Sequence, residues 1–245
     1  MAPLPRARVS GIRASNFGDV TFVAHAEIQL RKNKYMVSLV LDDASNFLWA
    51  TAQNSLSNKE TIQALRFWTD ENNCMPEAIV GDEAVFQEDF LTYYRTHGIK
   101  ECPCGSRTPW PNRAESAARL FKRQWHVMSK NLENDRFRGV TVREAVKRAV
   151  WARSTQLTVS GYSPLEIATG RRPPDLLDVE TSDPAQLSVD SLAEDRTQQE
   201  LQRLALKAHQ EARQAADLRH DMAKRTMPSD GPYKPGLCLD VFCQC

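Results

Sequence analysis

Short apolar runs fill the first third of the chain, and helical periodicities take over after them. Val20-Thr-Phe-Val-Ala-His-Ala-Glu-Ile-Gln-Leu30 is rich in β-formers and predicts a first strand. Arg31-Lys-Asn-Lys34 is a polar turn, and Tyr35-Met-Val-Ser-Leu-Val-Leu41 is nearly all apolar, as a strand covered on both faces should be. Asp42-Asp-Ala-Ser-Asn46 turns the chain before a third strand, Phe47-Leu-Trp-Ala-Thr-Ala52, completing an antiparallel meander. Ser57 and Glu60 then form a capping-box pair ahead of a helix with Ile62, Leu65 and Trp68 on one face. Ala78-Ile-Val80 is a short buried strand stopping at Gly81-Asp82. Phe86 to His97 is a second amphipathic helix closed by Gly98, and Ile99 to Cys102 a fifth strand.

The stretch from Thr108 to Trp125 changes the picture from architecture to chemistry. Thr108-Pro-Trp-Pro111 cannot be helical, because each proline lacks an N–H and pushes its predecessor out of the α region. Asn112 reads as an N-cap, which puts Glu115 in the first helical turn, where the helix dipole favours an anion. Arg119, Lys122, His126 and Lys130 follow Glu115 along one face. Such a face could hold a metal ion at the carboxylate end and a phosphate backbone along the cations; a solvated, salt-bridged helix is the alternative. Thr141 caps a further helix to about Thr155, and Ser163-Pro-Leu-Glu-Ile-Ala-Thr169 is a short one stopped by Gly170.

The order of elements predicts an α/β fold: a mixed five-stranded sheet, three strands antiparallel and two parallel, flanked by helices. The expected organisation is a flexible basic lead-in over 1–16, a core over 17–175 and a Pro- and Asp-rich linker over 176–189. A long amphipathic helix follows over 190–226, then a disordered, truncated tail over 227–245. Leu201, Leu204, Ala208, Ala212, Ala215 and Met222 form one stripe on that helix, which suggests a coiled-coil-like element or a helix folded back on the core.

Composition narrows the chemistry only a little. Lys and Arg number 32 against 31 Asp and Glu in 245 residues, so a basic site has to be local. No apolar run is long enough to span a bilayer and no leader follows Met1, so the expectation is an intracellular chain with reduced thiols. Cys102-Pro-Cys104 is too tightly spaced for a zinc knuckle, Cys74 reads as a buried thiol, and Cys238, Cys243 and Cys245 crowd the end.

Asp82 ends the fourth strand, the usual place for a site in an open sheet with parallel strands, and one helix, one strand and one loop carry the chain on to Glu115. Two carboxylates without Cys or His partners suit hard cations such as Mg²⁺ or Mn²⁺, which can activate a nucleophile and stabilise a leaving oxygen. Phe17-Gly-Asp19, Leu41-Asp-Asp-Ala-Ser45, Val80-Gly-Asp82, Asn112-Arg-Ala-Glu115 and Gly161-Tyr-Ser-Pro-Leu-Glu-Ile-Ala-Thr-Gly-Arg-Arg-Pro173 together resemble the integrase core of LTR retrotransposons. That resemblance implies a ribonuclease-H-like fold and an Asp, Asp, Glu metal triad that cuts and joins DNA. Asp82 and Glu115 match the second and third ligands, and Arg119 and Lys122 match DNA-contacting positions. Retroelement ends and a target duplex are the implied partners, with homo-oligomers and a nuclear location.

The first ligand departs from the pattern. Counting from Phe17-Gly-Asp19, its place falls at Ala24, whose methyl cannot bridge two cations. Asp42, across the hairpin, and Glu27, further along the strand, are the possible substitutes. The zinc-binding domain expected before residue 17 is missing, and Pro232-Tyr-Lys-Pro-Gly236 looks like the start of a C-terminal barrel that the chain does not complete. The reading is therefore an integrase core with impaired chemistry. The alternatives are a catalytically dead DNA-binding or self-association module, and a ribonuclease-H-like nuclease of another lineage. His25 reads as structural rather than a ligand, Trp110 as packing or base stacking, and Arg171-Arg172 as solvated or phosphate-binding. Asp42-Asp43 reads first as an Asx-type turn.

Overall fold

A computed structural model describes residues 14–104, 113–156, 161–173 and 189–223, with side chains in the last segment described over 196–219. Five strands, β1 (Val20–Leu30), β2 (Asn33–Asp42), β3 (Leu48–Gln53), β4 (Ala78–Gly81) and β5 (Lys100–Pro103), form one sheet in the order β3-β2-β1-β4-β5. β2 runs antiparallel to its neighbours β1 and β3, while β4 runs parallel to both β1 and β5. The expected mixed sheet is therefore observed. The hairpin between β1 and β2 is tighter than the four-residue turn expected. Leu30 pairs with Asn33, and Arg31 and Lys32 both take positive φ, as a two-residue turn matched to strand twist demands. Arg31 can adopt that conformation because its guanidinium donates to the carbonyls of Leu132, Phe137 and Arg138.

The helices are α1 (Asn58–Asn72), α2 (Glu88–His97), α3 (Arg113–Leu132), α4 (Val142–Gln156), α5 (Pro164–Thr169) and α6 (Val189–Ala223). Because strand side chains alternate, the sheet buries two separate cores. One contains Val23, Val40, Trp68, Phe90 and Tyr94 under α1 and α2. The other joins Phe22, Ala24, Ala26, Leu39 and Val80 to α3, α4 and α6. Local signals place most helix ends correctly: Thr141 and Glu144 cap α4 reciprocally, Ser163 and Glu166 do so for α5, and Gly98 and Gly170 end their helices at positive φ. At α1 the capping box is not closed. Ser57 accepts from Glu60 N, but the Glu60 carboxylate turns back to Ser55 N instead. The second helix also starts later than expected, a 3₁₀ turn over Glu83–Val85 taking up the chain before Glu88.

One further expectation is corrected, and of the two alternatives for the long helix the folded-back one is observed. Residues 14–16 are tied down rather than loose: Ala14 N donates to Asp43, and Ser15 N and Asn16 N donate to Asp19. The long helix folds back onto α3 and α4, with Leu201, Ala205, Leu206 and Ala208 in the shared core and Leu204 packed against it. Asn112, Trp110, Pro232–Gly236 and the last cysteines lie outside the described residues. Among the described residues, no helix is long and apolar enough to cross a membrane.

Candidate functional site

Register places the site. Phe22 on β1 pairs with Val80 on β4, and Val80 with Cys102 on β5. All three strands run parallel, so advancing two residues on each gives the next like-facing row: Ala24, Asp82 and Cys104. Cys104 N donates to Gly81 O at 2.7 Å, continuing the ladder to that row. Phe22, Ala24 and Val80 belong to the core under α3, and Cys104 packs against it, so the row faces α3. Asp82 is extended (φ −74°, ψ 165°) and exposed at the strand end, its side chain making no capping hydrogen bond to the 3₁₀ turn that follows.

Close approach at Gly81 makes this possible. A Cβ built there would lie 2.5 Å from Val85 Cγ2 and 3.3 Å from Val23 O. Gly81→Ala is therefore expected to cost about 2 kcal/mol by overpacking, and to separate Asp82 from β1. Urea unfolding checks the first effect. Wild-type stability in the variant would refute the tight contact.

The start of α3 brings Glu115 in. Arg113, its first residue, makes a very short ion pair with the buried carboxylate of Asp43 and also donates to Asp43 O at 3.3 Å. The end of β2 thus anchors the helix turn that carries Glu115. Burial raises the Cys104 thiol pKa, and the negative charges of Asp82 and then Glu115 raise it further. Both carboxylates thus act on a thiol that register puts in the row with Asp82. The sequence had suggested only that Cys102 and Cys104 do not form a zinc knuckle; strand parity, not spacing, is what puts Cys104 in the row.

The rest of α3 presents two faces. Ala117, Ala118, Phe121, Gln124, Trp125, Met128 and Leu132 are buried, and each large apolar side chain among them contributes roughly 1.5–3 kcal/mol. Arg119, Lys122, His126 and Lys130 are exposed on the opposite side, beginning one turn after Glu115. Lys122, His126 and Lys130 also line a cleft of about 400 Å³ against Glu27, Ile28 and Gln29 of β1. Trp125 closes its floor by donating to Gln29 O at 3.0 Å.

Neither Asp42 nor Glu27 reaches the row. Asp42 pairs with Thr21, whereas Ala24 pairs with Leu39, three positions away. The Asp42 carboxylate is fully buried and accepts from Gly18 N, Ser45 N and Ser45 Oγ at 2.8, 2.7 and 2.6 Å, the Asx-type turn read from sequence. Glu27 is exposed and ion-paired with Lys34 at 2.9 Å. That hydrogen-bonded pair holds its pKa down, with a smaller pull from Lys122. His25 points the other way, its Nε2 3.2 Å from Thr61 Oγ1 on α1, and burial lowers its pKa. Arg171 and Arg172 are exposed beyond α5. Among the described residues no three His, Cys, Asp or Glu side chains are placed to hold a metal ion. With a methyl at Ala24, the residues present do not fit a two-ion centre built on Asp, Asp and Glu.

The same sheet order and helix placement occur in retroviral integrase catalytic cores, which have the ribonuclease-H-like fold. The HTLV-2 integrase catalytic core domain in complex with magnesium superposes in its dimeric form with a TM-score of 0.53. The two are 17% identical over 64% of this chain and 99% of that one. Its trimeric form gives 0.51 at 16% identity, with the same coverage. The simian T-cell lymphotropic virus intasome, in complex with the PP2A regulatory subunit B56 gamma, gives 0.56 at 16% identity. That match covers 72% of this chain and 62% of the matching one. No protein-family model and no curated protein sequence matches the chain.

Proposed function

We propose that this chain is an integrase-type core that keeps a DNA-backbone-binding face on α3 while its strand-cutting and strand-joining chemistry is impaired at Ala24. The premise is the integrase-core fold at 16–17% sequence identity. The observation that carries the proposal is the pairing of an intact exposed cation face with a broken carboxylate row. Asp82 and Glu115 are the positions that would hold a divalent ion, and Arg119, Lys122, His126 and Lys130 those that would contact phosphates. Such contacts position a duplex without reading its sequence. The magnesium named with the HTLV-2 core supports Mg²⁺ or Mn²⁺ as the ion for a complete triad. Its dimeric and trimeric forms support self-association here.

The test is fluorescence anisotropy with a duplex oligonucleotide across a salt series. Wild type is expected to bind with a steep salt dependence. Replacing Arg119, Lys122 and Lys130 together by alanine should weaken binding roughly tenfold at 0.1 M salt and flatten the log–log slope by about 2.7. Binding no stronger than that of an acidic control protein at low salt would sink the DNA-binding half. Mg²⁺- or Mn²⁺-dependent strand transfer by wild type, abolished by Asp82→Asn, would sink the impaired half.

A further inference from the structure

We propose that α6 is a releasable arm, docked on α3 and α4 while His209 is uncharged, and that its release opens one side of the α3 cation face. His209 is completely buried, and neither ring nitrogen has a hydrogen-bond partner. Arg153 on α4 is 6% exposed; its Nη1 and Nη2 donate to Asn46 O and Asn46 Oδ1, and its Nε has no partner. An unpartnered neutral imidazole already costs free energy to bury, and an unpartnered imidazolium costs far more.

The charges bearing on His209 are all cations: Arg153 from α4 and Arg213 one turn further along α6. The uncharged Gln124 of α3 reaches across the interface, donating to Ala149 O and Ala205 O. On α4, Arg148 donates to Gln198 and Gln202 of α6. Beyond α3, Arg136 pairs with Glu200 of α6 at 3.4 Å, and in an outer groove Lys122, Arg123 and His126 of α3 face Glu211, Ala212, Ala215 and Arg219 of α6. Docked α6 is therefore one wall of the basic face, and it sets a carboxylate, Glu211, beside that face.

Burial, reinforced by the two arginines, lowers the His209 pKa to about 4. In a released arm it returns to about 6.5. A depressed histidine pKa means that docking stability is fully present above the released value and is lost as pH falls toward the docked one. Between pH 7.5 and pH 5 the docking constant should fall about 30-fold. The rival account is an ordinary core histidine whose protonation loosens the whole domain.

Amide hydrogen exchange on the full chain without DNA, corrected for intrinsic chemistry, separates the two accounts and does not depend on the DNA-binding reading. The expected result is an exchange rise of about 30-fold over Leu201–Ala212 between pH 7.5 and pH 5, with β1 and β2 unchanged. His209→Leu and His209→Gln should each abolish that pH dependence. Parallel loosening of sheet and α6, a rise below about threefold in α6, or persistence of the effect in a folded variant would overturn the proposal. If neither variant folds, the wild-type comparison of α6 with the sheet decides alone.

Discussion

Ala24→Asp is expected to create a divalent-metal dependence of stability. Ala24 is 5% exposed, lies in one row with Asp82 and faces the helix that carries Glu115. A carboxylate added there, without a cation, puts like charges on neighbouring strand positions in a poorly solvated place. In EDTA the variant should lose about 2–3 kcal/mol, or roughly 5–10 °C in Tm for a domain of this size. Mn²⁺ at 100 times its dissociation constant should return about 2.7 kcal/mol, a difference of about a hundredfold in the unfolding equilibrium. Thermal unfolding followed by circular dichroism with EDTA and with Mn²⁺ reads both effects. Adding Asp82→Asn or Glu115→Gln to Ala24→Asp should remove the metal response. Equal destabilisation with and without Mn²⁺ would show that Ala24, Asp82 and Glu115 do not face one space.

The same substitution should restore chemistry if position 24 is the sole defect. A shared ligand supplying about 3 kcal/mol of transition-state stabilisation is worth somewhat more than a hundredfold in rate. Strand cleavage by Ala24→Asp that exceeds wild type by this factor, in Mn²⁺ and not in EDTA, is the result expected. A metal-binding but inactive variant would place a further defect elsewhere in the core.

Much of this architecture was legible because local rules and global fold agree. Apolar runs bounded by Asp and Asn marked β1 to β3, and Gly81-Asp82 marked the end of β4. The α3 pattern separated a buried face from Arg119, Lys122, His126 and Lys130 without any knowledge of its neighbours. What failed needed register or tertiary burial. Asp42 looked available to Ala24 until the two-residue hairpin fixed Leu39 opposite it. His209 was overlooked because it lies within an alanine-rich seam, where periodicity spoke for its neighbours Ala208 and Ala212. Arg153, near the end of α4, carried no sequence signal of burial. It is buried because Asn46, at positive φ, offers it two oxygens. Cys104 lost its meaning in a spacing argument and regained it through strand parity.

Asp42→Ala is expected to be the costliest single substitution at the edge of the site, at about 3 kcal/mol, and insensitive to metal. Removing the carboxylate strands two backbone N–H groups, those of Gly18 and Ser45, in a place with no exposure. Each such loss costs roughly 1–3 kcal/mol, offset in part because a desolvated carboxylate is removed as well. That desolvation raises the Asp42 pKa, against the Ser45 and Gly18 hydrogen bonds that lower it. For an acid with a raised folded pKa, stability is greatest below the unfolded value and falls as pH climbs through the folded one. The gap between wild type and Asp42→Ala should accordingly be widest in acid and narrow toward neutral pH, while Asp42→Asn stays closer to wild type throughout. Urea unfolding across that range measures the gap. A ligand serving Ala24's row would behave differently, because Mn²⁺ would then stabilise wild type and leave Asp42→Ala unaffected. Equal losses with Mn²⁺ and with EDTA would confirm that Asp42 holds the β2–β3 turn and leaves the row beside Ala24 without its carboxylate.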